Sequence, residues 1–165
     1  HAGLYGSGLI GYIVVNVLLY ITVGIEEELM FRSVVTECVL RKNSNIIVFA
    51  SVYSGLLFGL AHITNFIFDA DMTMFNKWCT MIMGCVFGFT LAVIFLRTKS
   101  IGAVITLHFL WDFADFMNHM MIVERYRYGG SYNALALQIP VLIVMLVIAV
   151  FVCINKSAWE CKQCF

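Results

Sequence analysis

What this chain can fold into is constrained first by its apolar runs. Six of them follow one another, at about 9–23, 26–40, 46–68, 78–96, 101–121 and 134–154. A helix that crosses a bilayer needs roughly 20 predominantly apolar residues. Inside lipid the backbone must satisfy its own N–H and C=O groups, so only helices or a closed barrel can span. These runs are continuous rather than alternating, which selects helices. Composition agrees: 62% of residues are hydrophobic and 12% charged, where a soluble domain averages about 45–50% and about 25%. The expectation is an all-α, polytopic transmembrane bundle of about six helical segments, with residues 1–165 forming a single transmembrane domain.

The breaks between runs carry the polar residues. Gly24 and the acidic cluster Glu26-Glu27-Glu28 separate the first two segments, and Arg41-Lys42-Asn43-Ser44-Asn45 closes the second. Arg97-Thr98-Lys99-Ser100 divides the fourth from the fifth. The turns at 41–45 and 97–100 and the C-terminal tail hold six Lys/Arg and one acid, so the positive-inside rule places them on the cytoplasmic face. Net charge is zero, and nothing suggests a nucleic-acid partner; the lipid bilayer is the expected one. The six cysteines form no framework: Cys79, Cys85 and Cys153 lie in apolar runs, and Cys161-x-x-Cys164 lacks the second half of a zinc site. The chain starts at His1, as a fragment or a processed form would, and no signal-peptide pattern precedes the first run.

Charged side chains inside membrane helices are costly and mark sites. Glu28 and Arg32 are i,i+4 neighbours that can pair on one helix face. Glu27 then points about 100° away, in a low-dielectric setting that suits a general base. A buried ion pair at a helix start explains the same residues without chemistry. Glu26 reads as an interfacial residue. His62, one turn after Phe58, reads equally as a satisfied core histidine. His108 and Asp112 are i,i+4 on one face, a spacing that orients an imidazole nitrogen or simply bonds two helices together.

Depth separates these readings. Glu27 lies 14 residues before Arg41, roughly 21 Å from that surface at about 1.5 Å per residue. His62 lies roughly 24 Å beyond Ile46, and His108 and Asp112 roughly 13 and 20 Å beyond Lys99. All four therefore share one slab displaced from the basic surface, as a cluster in an intramembrane active-site cavity would.

The pattern Glu27-Glu28-x-x-x-Arg32, Phe58-x-x-x-His62 and His108-x-x-x-Asp112 resembles the three-motif signature of the CAAX protease and bacteriocin-processing (CPBP, or ABI) family. Phe95 to Ile101 is similar to the turn that precedes the family's third motif, with Lys99 where Gly is commoner. The likeness covers about residues 20–118. It implies an intramembrane endopeptidase acting on a membrane-associated, CAAX-type prenylated protein or a bacteriocin-like peptide, in a multi-pass protein of a bacterial plasma membrane. By that likeness Glu27 activates water with help from His62, Glu28 and Arg32 support the helix, and His108 and Asp112 stabilise the oxyanion. Asp112 stands where the family takes Asn or Asp; an ionised carboxylate accepts but cannot donate, so Asp112 either carries a proton or orients His108.

The family is commonly labelled metalloprotease, which makes Glu27, His62 and His108 candidate ligands for Zn²⁺. A glutamate-activated water needs no ion, and no His-Glu-x-x-His pair is present. Two rivals stay open. A non-catalytic bacteriocin self-immunity or scaffold protein would use the cluster only to join helices, and a proton-coupled carrier would also hold intramembrane Glu, His and Asp, though without the inverted repeats or broken helices such carriers show.

Overall fold

A computed structural model describes residues 7–36, 47–68, 70, 73–127 and 135–154, and every regular element among them is helical. Helix α1 (Ser7–Glu28) continues into a π-helical segment (Leu29–Thr36). After it come α2 (Ile47–Ala61), the short α3 (Thr64–Phe68), α4 (Met74–Thr98), α5 (Ile101–Arg127) and α6 (Leu135–Ile154). The basic turn at 41–45 and the Cys161/Cys164 pair lie outside the described residues. Three helical stretches are long and apolar enough to cross a membrane: Gly8–Thr36, Val48–Phe68 and Met74–Thr98. Their outward faces carry exposed Val15, Leu18, Phe49 and Ile82, which is the surface a lipid solvent demands.

The first two apolar runs are one element rather than two, so the structure does not reproduce the count of about six segments. The reason lies at Gly24 and the glutamates. A single Gly costs a helix only about 1 kcal/mol, and Glu is a good helix former. Gly24 is buried, and a Cβ there would lie 3.6 Å from the Ile105 carbonyl oxygen and 3.8 Å from His108 Cβ. The glycine thus brings α1 close to α5 instead of ending it. Past the glutamates the backbone widens, and Thr36 Oγ1 donates to the Phe31 carbonyl oxygen five residues earlier, at 2.8 Å. Such π segments are rare and are frequent at functional sites.

Helices α2 and α4 run antiparallel in the closest contact of the fold. Gly59 of α2 faces Gly84 of α4, while Gly55 lies against the Phe89 backbone and Gly88 against Phe58. A Cβ on Gly55 would come within 2.6 Å of Phe89 N, one on Gly59 within 2.6 Å of the Met81 carbonyl oxygen, and one on Gly88 within 2.7 Å of Phe58 Cβ. Small residues at such crossings let membrane helices approach backbone to backbone, where van der Waals contact replaces the missing hydrophobic drive. Around this seam Phe31, Phe58, Phe87, Leu91, Phe95, Leu96, Val104 and Leu142 form the core.

Two turns set the site's register. Thr73 caps α4, its hydroxyl accepting from Asn76 N at 3.2 Å. At the other end Lys99 adopts φ 53, donating its N–H to the Phe95 carbonyl oxygen at 2.8 Å, and Ser100 Oγ accepts from Ala103 N to start α5. A left-handed residue here is a helix stop that Gly fills without a Cβ penalty, which accounts physically for Gly being commoner at the Lys99 position of the similar turn.

Candidate active site

The site is built where α1, the π segment, α2, α4 and α5 converge. Glu28 and Arg32 are both 0% exposed. Taking two ions out of water costs several kcal/mol each and is offset only by good geometry. Arg32 Nη2 donates to Glu28 Oε1 at 3.1 Å, while Nε and Oε2 approach to 2.8 Å as an ion pair with no other partner. Its guanidinium carbon also lies 5.0 Å over the Phe58 ring, a cation–π contact.

That pair fixes an imidazole. His108 of α5, buried, has Nδ1 2.9 Å from Glu28 Oε1. Glu28 Oε1 also accepts from Arg32 Nη2, so it is the acceptor in this contact, the proton belongs on Nδ1, and Nε2 is the nitrogen turned to the site. Nε2 lies 3.6 Å from both Glu27 Oε2 and Asp112 Oδ2. These separations are too long for direct hydrogen bonds, so both carboxylates act on Nε2 through their charge. The Phe58 and Phe87 rings stand edge-on to the His108 ring at 5.7 and 5.3 Å and pack it in place.

His62 is held by a different device. The sequence reading runs one helix through 46–68, but α2 ends at Ala61, and His62 N donates to the Gly59 carbonyl oxygen in a tightened last turn. A helix end leaves its last carbonyls without partners, and the His62 side chain meets one of them: Nδ1 lies 3.0 Å from the Phe58 carbonyl oxygen. A carbonyl can only accept, so Nδ1 carries the proton here too, leaving Nε2 as the free nitrogen. The ring packs over Gly84, where a Cβ would sit 3.2 Å from Nδ1.

A cavity of about 240 Å³ joins the two histidines; Phe58, Met83, Phe87 and Trp111 supply apolar wall, and Thr80, Asp112 and Asp115 polar wall. It lies toward the end of the bundle that carries His62 and the start of α4. Of the six residues singled out from sequence, His62, His108 and Asp112 line it; Glu27, 36% exposed, stands beside it and reaches it across His108 Nε2. Glu28 and Arg32 lie behind His108. Sequence reading passed over Gly59, Gly84 and Gly88, although the spacings Gly55-x-x-x-Gly59 and Gly84-x-x-x-Gly88 carry the signal. Asp115, Ser54 and Phe87 carry no spacing signal in the sequence that marks them for the site.

Among the described residues no three His, Cys, Asp or Glu side chains group so as to hold a metal ion. Glu27, His62 and His108, the candidate ligands read from the sequence, are not grouped as such a set.

Fold and site together define a helical membrane protein whose apolar layer holds a cavity with two oriented imidazoles and three nearby carboxylates. The family model described as Type II CAAX prenyl endopeptidase Rce1-like matches residues 9–114, and the chain belongs to that family. No curated protein and no solved structure matches it.

Proposed function

We propose that this protein is an intramembrane endopeptidase that hydrolyses a peptide bond near the C-terminus of a prenylated CAAX-type substrate, with water activated by Glu27 and His62. The observation that carries the reading is the common state of the two imidazoles. Each has Nδ1 engaged by an obligate acceptor, so each presents Nε2 toward one small cavity. A cluster that served only to join helices would need neither the cavity nor that orientation, which favours the peptidase over a scaffold or immunity protein.

In this mechanism Glu27 takes a proton from water as the water oxygen attacks the scissile carbonyl, and His62 Nε2 accepts a hydrogen bond from the same water. His108, doubly protonated, donates from Nε2 to the developing oxyanion, while Glu28 and Arg32 keep the ring fixed so that no reorganisation is needed at the moment of reaction. Collapse of the tetrahedral intermediate returns the proton from Glu27 to the leaving amine. No step requires a metal ion. Asp112 steers His108 by its charge.

The test is cleavage of a farnesylated CAAX peptide by the purified protein in detergent, comparing wild type with Glu27→Gln and His62→Ala. A positioned general base contributes about 10²–10⁴-fold, so Glu27→Gln is expected to lose at least about a hundredfold in kcat with an unchanged thermal midpoint. If both variants fold and cleave as wild type does, the proposal is wrong.

A further inference from the structure

The chain of contacts that turns His108 toward the cavity ends on a serine. Ser54 sits on α2 one turn before Phe58 and is 0% exposed. Its hydroxyl accepts from Arg32 Nη1 at 3.3 Å and donates to the Phe31 carbonyl oxygen at 3.3 Å. One hydroxyl therefore ties α2 to both the backbone and the side chain of consecutive residues in the π segment. Phe31 lies inside the π segment, and its carbonyl oxygen also receives Thr36 Oγ1.

We infer that Ser54 is a positioning residue for the site, acting through Arg32 and Glu28 on His108. The guanidinium is pinned at three points: Glu28 on one edge, the Phe58 face beneath it, and Ser54 on Nη1. Without Ser54 the fork keeps Glu28 but is free to tilt about that edge. Glu28 Oε1, which accepts from both Arg32 Nη2 and His108 Nδ1, moves with it, and so does the direction of His108 Nε2. A displacement of about 1 Å in a reacting geometry can cost about 10²-fold in rate. The charged groups around His108 are Glu27 and Glu28 from α1, Arg32 behind Glu28, and Asp112 on its own helix; Ser54 changes none of these charges, only where one of them sits.

The kinetic consequence rests on the peptidase reading, whereas the structural one does not. Two readouts therefore go together on the full chain in detergent: kcat and KM for the farnesylated peptide, and the ¹⁵N resonances of the His108 imidazole, assigned by their loss in His108→Gln. Ser54→Ala is expected to lower kcat about tenfold, the equivalent of one modest hydrogen bond, to leave KM unchanged and to shift the His108 resonances. Ser54→Thr, which keeps the hydroxyl, is expected to restore both. An alanine variant whose sole defect is a lower thermal midpoint, with kcat per folded molecule and His108 resonances at wild-type values, overturns the inference. So does a folded Ser54→Thr protein that behaves like alanine. If wild type cleaves no peptide, the peptidase reading falls alone, and the resonances still decide whether Ser54 sets His108.

Discussion

The two helix pairs that flank the cavity are held together by opposite means. Helices α2 and α4 meet through glycines, with nothing between their backbones but van der Waals contact. Helix α1, its π extension and α5 meet through ions: Glu28, Arg32 and His108, all buried. Both solutions answer the lack of a hydrophobic drive between helices in lipid, but they confer different abilities. A glycine seam fixes a distance and offers no chemistry. An ionic seam costs desolvation and in return orients an imidazole. Phe58 belongs to both, packed on Gly88 and under Arg32, with the His62 and His108 rings 5.5 and 5.7 Å from its own. The cavity lies where the rigid seam and the polar seam share that ring.

The comparison breaks most sharply at Arg32. Arg32→Ala removes one partner of a fully buried ion pair and leaves Glu28 with His108 Nδ1 alone, a loss that typically costs about 3–5 kcal/mol and is the largest effect expected from any single change here. A large fall in thermal midpoint and in folded yield from detergent is the expected result. Replacing both partners, as in Glu28→Leu with Arg32→Met, is expected to recover most of that stability, because well-packed apolar residues often replace a buried pair at no loss, yet to recover no cleavage. If the double variant regains activity as well, the ions are not what orients His108.

The glycine seam gives the next effect in size. On Gly59 a Cβ would meet the Cys85 Sγ, and it would lie within 2.6 Å of Cys85 N and the Met81 carbonyl oxygen. Backbone cannot yield as a side-chain tip can, so Gly59→Ala is expected to cost about 1–3 kcal/mol as overpacking does. Gly8→Ala, with nothing within 4 Å of the added Cβ, serves as its control and is expected to be neutral or to stabilise by a few tenths of a kcal/mol through helix propensity. Equal thermal midpoints for the two variants would mean that the close approach at Gly59 is not a requirement of the fold.

Much of this architecture is legible in the sequence, and the parts that are not share a cause. Apolar run length shows a helical membrane protein, and helical spacing puts Arg32 beside Glu28 and Asp112 beside His108. Local spacing cannot show that Gly24 brings α1 onto α5 instead of ending a segment, because the cue that decides it is a partner helix 80 residues away. The same holds for the π segment, whose widened turn is matched by Ser54 from α2, and for the break after Ala61, where the His62 ring packs over Gly84 of α4. Each depends on a contact between elements, which no window along one helix contains.

Asp112 sharpens the comparison with the smallest change. It borders the ionic seam, 22% exposed, with Oδ2 3.6 Å from His108 Nε2. Asp112→Asn keeps the shape and removes the charge, while His108 keeps Glu27 and Glu28 around it and its Nδ1 bond to Glu28 intact. The imidazole therefore stays in place, and kcat is expected to change by less than about tenfold, under about 1.4 kcal/mol, with the thermal midpoint unchanged. The sign of that change carries the information. A rise means that the amide N–H has joined His108 in donating to the oxyanion, as a donor at that point should. A fall of a few-fold means that the carboxylate's charge was steering His108, which is the role assigned to it above. A loss as deep as that of Glu27→Gln would instead make Asp112 the base, and the division between a water-activating Glu27 and a steering Asp112 would have to be reversed.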